Sequence, residues 1–541
     1  MAYTGHVDTF ARDNLPPKES WPEFLFDLPE LNYPEQLNAC VELLDKSIAR
    51  FGERVAIITP SETLTYSQLF ERVNRLANVL VQDLGLVPGN RVLLRSANNG
   101  MMLAASLAII KAGGVVVATM PMLRAREVSY ILNKAQVTIG LCDAKLSEEM
   151  ETAKVATSQP QKLLYWGDPT GSLETLMSKP GYEKFEACKT AADDVCLFGF
   201  TSGTTGQPKG TMQFHRDLLS VCHTYGRRVL AATAEDRFIG SPPLAFAFGL
   251  GGLGLFPLHV GASTILLERT PPEELLAAIE KYAATICFTA PTAYRAMLEH
   301  VGKYNLSSLR KCVSAGEGLP KGTWDAWYQA TGIKILDGIG STELLHIFIG
   351  SPETEIVPGS TGKPVPGYQA RVIDENGQAL PPNTPGRLAV RGPTGCRYLA
   401  DERQAVYVQN GWNITGDTYL CDEQGNFWYQ ARSDDMIVSA GYNIAGPEVE
   451  AVLLSHPAIA ECGVVGSPCP ERGQIVKAYV VLRPGFTGDA ALTKTLQNFV
   501  KSEIAPFKYP RAVEYLTALP KTEGGKLQRG KLREMAKASA A

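Results

Sequence analysis

The chain has 541 residues, 45% apolar and 20% charged, enough for roughly two to four domains around large buried cores. A formal charge of −4 excludes a global electrostatic role on nucleic acid or on a membrane surface, and leaves only a local basic patch near the Lys/Arg-rich C-terminal end. The eleven Cys are scattered and form no CxxC pair, and MAYTGHVDTFARDNLPP lacks a basic-then-apolar leader pattern, so reduced, mostly buried thiols in a cytoplasmic protein are expected.

From about Phe51, strand-like runs alternate with helical patterns. RVAIIT, TYSQLFERVNRLANVLVQDL, RVLLRS and GMMLAASLAIIKAG read as strand, helix, strand, helix; VVVATM, EVSYILNKA and TIGLCD continue the series. STILLER, PEELLAAIEKY, TICFTA and LRKCVSAGE extend it. Such alternation predicts βαβ units on largely parallel sheets flanked by helices. The most apolar windows, LAASLAIIKAGGVVVATM and PPLAFAFGLGGLGLFPL, are broken by Lys111, Gly and Pro, so no membrane span is expected. After Gly359 short strands and turn signals (ENGQ, NTPG) predict a small β-rich subdomain over 359–433. A further change of texture near Arg432 to Asp435 predicts a cut there. The expected fold is α/β, with an N-terminal domain over 1–433 and a small, mobile C-terminal α+β domain over 434–541.

The loop TSGTTGQPKG, Thr201 to Gly210, holds three Gly, four Ser/Thr and one Lys in ten residues. Glycines let successive backbone N–H groups approach an anion, and hydroxyls add donors. Lys209 lies between Pro208 and Gly210, so the Walker A spacing is not met. A solvated turn is the competing reading of the loop alone. As a whole the string closely resembles the phosphate-binding signature of the adenylate-forming superfamily, which includes acyl-CoA synthetases, luciferases and peptide-synthetase adenylation domains. Five further stretches carry the resemblance in the family's order: SAGEGLP, DGIGSTE, WNITGDTY, ARSDDMIVSAGYNIAGPEVE and PKTEGGKLQR, so that it spans residues 50 to 535.

The resemblance implies a site residue by residue. Thr201, Ser202, Gly203, Thr204, Thr205 and Lys209 would hold the ATP phosphates. Gly316 and Glu317 would line the purine with Gly338 and Ile339, the latter standing where many members place an aromatic ring. Asp337 would accept from the adenine amino group, Thr342 would contact the α-phosphate, and Glu343 would help hold Mg²⁺. Asp417 would bind both ribose hydroxyls, a task suited to a carboxylate that accepts two hydrogen bonds. Arg432 would contact ribose or phosphate, Asp434 would be the pivot between domains, and Gly441 with Tyr442 would let the pantetheine arm of CoA pass. Lys526 would bridge the substrate carboxylate and the α-phosphate, offsetting charge in a pentavalent transition state. Arg472, Lys508 and Arg511 are plausible basic groups for the CoA phosphates, with plain solvation as the alternative.

The implied reaction has two halves. A carboxylate attacks the α-phosphate of ATP, giving acyl-AMP and pyrophosphate; a thiol then attacks the acyl carbon and AMP leaves. For the acyl pocket the family points to Phe246, Ala247, Phe248 and Gly249, with Ala315, Gly340, His346 and Ile347. Phe and Ala suit a flat, small ring, and the glycines are expected to leave room for it; His346 either bonds a ring substituent or packs as a structural His. STE-x-LHIF and PPLAFAFGLGG look like the benzoate- and 2-aminobenzoate-CoA ligases, with 2-aminobenzoate favoured. The expected partners are an aromatic acid, ATP and CoA, in a monomer or homodimer that binds no nucleic acid. A medium-chain acyl-CoA synthetase, or an adenylation enzyme loading a separate carrier protein, are the alternatives.

Overall fold

A computed structural model describes residues 3–168, 170–201, 207–316, 318–319, 321–432, 436–520 and 527–539. The described chain divides into two compact units. The first takes most of the chain up to Ala431; the second begins at Arg432 and includes Met122–Tyr130 and the described ends of Thr201–Lys209.

The predicted alternation becomes two large sheets in the first unit. One has six strands in the order Lys162–Trp166, Ile139–Asp143, Arg91–Arg95, Val115–Thr119, Val195–Thr201, Lys209–Phe214. Its first four neighbouring pairs are parallel. Strands buried on both faces need continuous apolar runs, and Arg91–Arg95 and Ile139–Asp143 are buried at every position. The other sheet has nine strands. Its centre runs parallel from Val55–Ile58 through Ser263–Ile265, Arg237–Gly240, Ile286–Thr289 and Lys311–Ser314 to Ile335–Gly340. Antiparallel strands close both edges: Thr63–Thr65 on one side, Ile347–Gly350 and Lys363–Pro364 on the other.

Local chemistry sets the helix starts. Thr65 and Gln68 form a reciprocal capping box before Tyr66–Asn78, with N···O distances of 2.9 and 3.2 Å. Asn99 caps Gly100–Lys111 by accepting from the Met102 amide at 2.9 Å. That helix is buried nearly all round, which explains its apolar sequence without a membrane. Among the described residues no helix is long and apolar enough to cross a bilayer.

The β-rich segment forms its own sheet, Gln369–Ile373, Gly386–Arg391, Trp412–Cys421 and Val408–Gln409, with Phe427–Arg432 also paired to Trp412–Cys421. In the second unit Tyr442–Ala445, Met436–Ser439, Gly473–Leu482 and Ile459–Cys469 form a sheet, with Ala512–Tyr515 parallel to Gly473–Leu482. Helices Gly446–Leu454 and Arg529–Ala538 contact the strand Ile459–Cys469. The eleven Cys are free, and all are buried except Cys188, Cys421 and Cys469, which are partly exposed.

Candidate active site

The strand Ile335–Gly340 carries Asp337, Gly338, Ile339 and Gly340 along the parallel seam, with Asp337 opposite Ser314. Its Oδ1 is buried and has no hydrogen-bond partner. Burial pushes the Asp337 carboxyl up to about 8, against smaller opposing effects of Ser314 and the Gly338 backbone. A small cleft takes Asp337 into its wall beside Trp324, Ser351 and Gly359. An unpaired acceptor at a cleft wall is where an amino donor would be received.

The turn after this strand carries Thr342 and Glu343. Glu343 is buried and accepts from the Tyr398 hydroxyl at 2.5 Å. The fully buried Gln213 clamps the turn from behind: its Nε2 donates to the Thr342 carbonyl at 2.9 Å and to the Glu343 carbonyl at 3.3 Å. Gly199 makes room for Thr342, whose Cγ2 would lie 2.6 Å from a Cβ at that position. Leu345 sits at φ +70°, a left-handed conformation that a branched side chain adopts only under constraint.

Asp417 reaches the same neighbourhood from the strand Trp412–Cys421, just after Gly416 at φ +77°. Three tyrosines connect the carboxylates. Tyr407 lies edge-on to Tyr398 with ring centroids 5.7 Å apart, and its phenol is raised by burial and then by the charges of Glu343 and Asp417. Tyr419 is raised by burial and then by Asp417, with a lesser contribution from Asp337. Each phenol therefore stays protonated. Asp337, Glu343 and Asp417 thus come together, although they are far apart in sequence. Among the described residues no cluster of three or more His, Cys, Asp or Glu is arranged for a metal ion.

Other expected residues are placed as follows. Thr201 ends the strand Val195–Thr201 with its hydroxyl buried and unpartnered, and Lys209 opens Lys209–Phe214. Ala315 is buried and Gly316 has φ +88°. Arg432 closes Phe427–Arg432. Ser202, Gly203, Thr204, Thr205, Glu317, Asp434 and Lys526 lie outside the described residues. In the second unit Ala440 and Gly441 (φ +49° and +80°) make a two-residue hairpin turn between Ser439 and Tyr442. Tyr442 stacks on Phe507 with ring centroids 4.2 Å apart.

The acyl-pocket residues separate into two groups. Phe246 and Ala247 line an open cleft beside Thr342 and Leu345. His346 and Phe248 belong instead to a packed aromatic cluster, with the imidazole centroid 4.6 Å from Phe256, 5.3 Å from Tyr225, 5.9 Å from Phe248 and 6.4 Å from Phe288. Burial holds the His346 imidazole down to about 3, so it is neutral. Ile347 is buried in the core and Gly340 lies against the His346 carbonyl.

Two expectations are corrected. The glycines after Phe248 do not leave room for a ring: a Cβ on Gly249 would lie 2.1 Å from the Pro243 carbonyl oxygen, on Gly251 2.3 Å from His346, and on Gly252 2.5 Å from Phe288. Protein atoms fill that space, because the chain there passes its neighbours at backbone distance. Lys508 is no free hand for a CoA phosphate. It is 3% exposed and donates to Glu448 at 2.7 Å and to Glu127. Gln213, Tyr398, Tyr407 and Tyr419 are site residues with no motif spacing to announce them.

Comparison with known proteins identifies the family. The model of the family "AMP-binding enzyme" matches residues 44–398, and that of the "AMP-binding enzyme C-terminal domain" matches residues 448–526. The benzoate–CoA ligase of Thauera aromatica is 36% identical over 514 residues, covering 93% of this chain and 97% of that protein. The mitochondrial acyl-coenzyme A synthetase ACSM3 of Mus musculus is 32% identical over 538 residues, covering 93% and 91%. The crystal structure of the anthranilate CoA ligase AuaEII in complex with anthranoyl-AMP is 33% identical, with a TM-score of 0.74, covering 95% of this chain and all of that one. With the family model matched over most of its length and the motif carboxylates gathered in one place, the chain belongs to the AMP-binding enzymes of the adenylate-forming superfamily.

Proposed function

We propose that this protein is an ATP-dependent aryl-CoA ligase that activates a benzoate-type acid as its acyl-AMP and transfers the acyl group to CoA, with 2-aminobenzoate preferred over benzoate. The observation that carries the reading is the convergence of Asp337, Glu343 and Asp417 from three separate segments of the first unit, linked by Tyr398, Tyr407 and Tyr419. Asp337 receives the adenine amino group, Asp417 the ribose diol, and Thr342 the α-phosphate. Lys526 neutralises charge as the carboxylate oxygen attacks phosphorus and pyrophosphate leaves. The loop Ser202 to Thr205, with Thr201 and Lys209, grips that leaving group.

Glu343 suits Mg²⁺: it is a hard oxygen donor held in place by a phenol, and Mg²⁺ is commonly bound by one or two carboxylates completed by substrate phosphates. Mg²⁺ would supply charge neutralisation between two anionic reactants. His346, neutral and packed among Phe256, Tyr225, Phe248 and Phe288, does not pair with the substrate carboxylate. Gly441 and Tyr442 form the thiol-side passage, and a cytoplasmic setting fits the free thiols.

The test is pyrophosphate release across benzoate, 2-aminobenzoate, hydroxybenzoates and hexanoate, followed by thioester formation, with Lys526→Ala alongside. The variant is expected to lose adenylation while still making thioester from preformed acyl-AMP. No AMP from any benzoate-type acid sinks the aryl-CoA ligase reading, and surviving adenylation in Lys526→Ala sinks the role of Lys526.

A further inference from the structure

Gln213 stands on the strand Lys209–Phe214, two residues beyond Thr211, so both side chains leave the same face of that strand. Both are fully buried. Thr211 Oγ1 donates to the Gly199 carbonyl at 3.1 Å and lies 3.5 Å from the Thr342 carbonyl. Gln213 reaches further. Its Nε2 carries two hydrogens, and the successive carbonyls of Thr342 and Glu343 lie 2.9 and 3.3 Å from it. Its Oε1 accepts from Arg397 Nη2 at 3.4 Å. That guanidinium is itself fixed: its Nε donates to the Met212 carbonyl at 3.1 Å, and its Nη2 also to the buried Asp217 carboxylate. A cation on one side and two carbonyls on the other leave the amide a single orientation.

The turn between Ile335–Gly340 and Ile347–Gly350 depends on such outside donors. The Leu344 carbonyl accepts from Thr394 Oγ1 at 2.7 Å, so three carbonyls in a row are held by side chains from elsewhere in the chain. Within the turn, the Leu345 N–H donates to the Thr342 carbonyl at 3.3 Å. Thr342 and Glu343 are neighbours, and the direction each side chain takes follows the peptide planes on either side of it. Swinging their carbonyls away from Gln213 would re-aim both side chains at once. A group misplaced by about 1 Å at a reacting centre costs on the order of a hundredfold in rate.

We propose that Gln213 is a positioning residue for the adenylation step. Fully buried, it touches no reactant, and it acts by holding the Thr342 and Glu343 peptides in the orientation that aims both side chains at the α-phosphate. The proposal rests on the ligase reading for what Thr342 and Glu343 do, and on the hydrogen bonds alone for what Gln213 does to them.

The experiment compares two variants. Gln213→Met keeps the reach of the side chain and removes both donors. Thr394→Val, its control, removes the donor to Leu344, a residue with no part in the proposed reaction, and also the Tyr368 hydroxyl contact at 2.7 Å. Pyrophosphate release is measured with whichever of benzoate, 2-aminobenzoate and hexanoate the parent turns over fastest. Gln213→Met is expected to lower kcat by about thirtyfold or more, with KM for ATP and for the acid within about threefold of the parent. Thr394→Val is expected to keep kcat within about threefold although both variants melt at a lower temperature. A comparable loss of kcat in both variants overturns the proposal, as does kcat retained in Gln213→Met or a loss that falls in KM instead. If Gln213→Met shows no cooperative melting, Gln213→Asn takes its place: the same amide, withdrawn by one methylene, is read by the same criteria. Backbone hydrogen exchange without nucleotide keeps the role of Gln213 apart from the ligase reading. A parent that releases no pyrophosphate with any of these acids removes the ligase reading. The hold on Thr342 and Glu343 then stands if amides 341–345 exchange about tenfold faster or more in the Gln213 variant while 335–339 keep the parent's rate. It falls if exchange is unchanged or rises along the whole strand.

Discussion

Asp337 holds a proton that an ordinary aspartate has lost by pH 7. Its carboxyl titrates near 8 in the folded protein because burial disfavours the anion, against an unfolded value near 3.8. The folded state thus binds the extra proton across that window, so the contribution of Asp337 to stability is full at low pH and is lost as pH rises toward 8. Asp337→Asn has no proton to lose there. Its melting temperature is expected to gain on the parent from pH 5 to about pH 8 and to level off above, measured without nucleotide, and parallel curves would refute the assignment. On the proposed role, the adenine amino group is received by the ionised form, so kcat/KM for ATP rises with pH up to about 8 in the parent and is flat in the variant. His346 sits at the opposite extreme. Burial keeps its imidazole neutral, which removes it as a source of any acidic limb above about pH 4.

At the scale of elements, the run Leu250–Leu255 winds as a widened helical turn whose glycines lie against His346 and Phe288. A methyl group at Gly251 would sit 2.3 Å from the His346 ring. Gly251→Ala is expected to destabilise by about 1–3 kcal/mol, with part recovered when His346→Ala is added, because the two changes share one contact. Additive losses in urea unfolding midpoints would contradict that packing. The strands and helices of the first unit were legible from alternation, since two-face burial writes itself as apolar runs such as VLLR and GLCD. The six motifs marked the segments that converge. What alternation does not carry is which atoms fill the space a glycine leaves. At Gly251 and Gly252 that is protein, not ligand. Nor does spacing show a buried cation's partners, so Lys508 reads from sequence as a plausible group for a CoA phosphate although Glu127 and Glu448 enclose it. Tyr398 was silent for a related reason: a tyrosine in a strand-rich stretch reads as core until its hydroxyl is seen to meet a carboxylate, here that of Glu343.

For the whole molecule, the proposed function assigns one half-reaction to Lys526 and the other to Gly441, and both lie beyond the proposed pivot at Asp434. Proline there fixes φ near −65° and removes a backbone N–H. Asp434→Pro is expected to unbalance the two steps, with acyl-AMP formation kept within threefold and transfer to CoA reduced at least tenfold, each assayed separately. Equal effects on both would argue against a pivot at this position. A different demand on the chain follows from Arg397 and Asp217, an ion pair with both side chains fully buried and 180 residues apart. A buried charge without its partner is strongly destabilising. Ribosomes add about 5–20 residues per second, so roughly 9–36 s separate the synthesis of the two side chains. Throughout that interval the six-stranded sheet beside Asp217 cannot close on its native interior. The nascent polypeptide is consequently expected to need a chaperone over that interval of 180 residues, and a fragment ending before Arg397 is expected to partition into aggregates even though it contains every strand of that sheet.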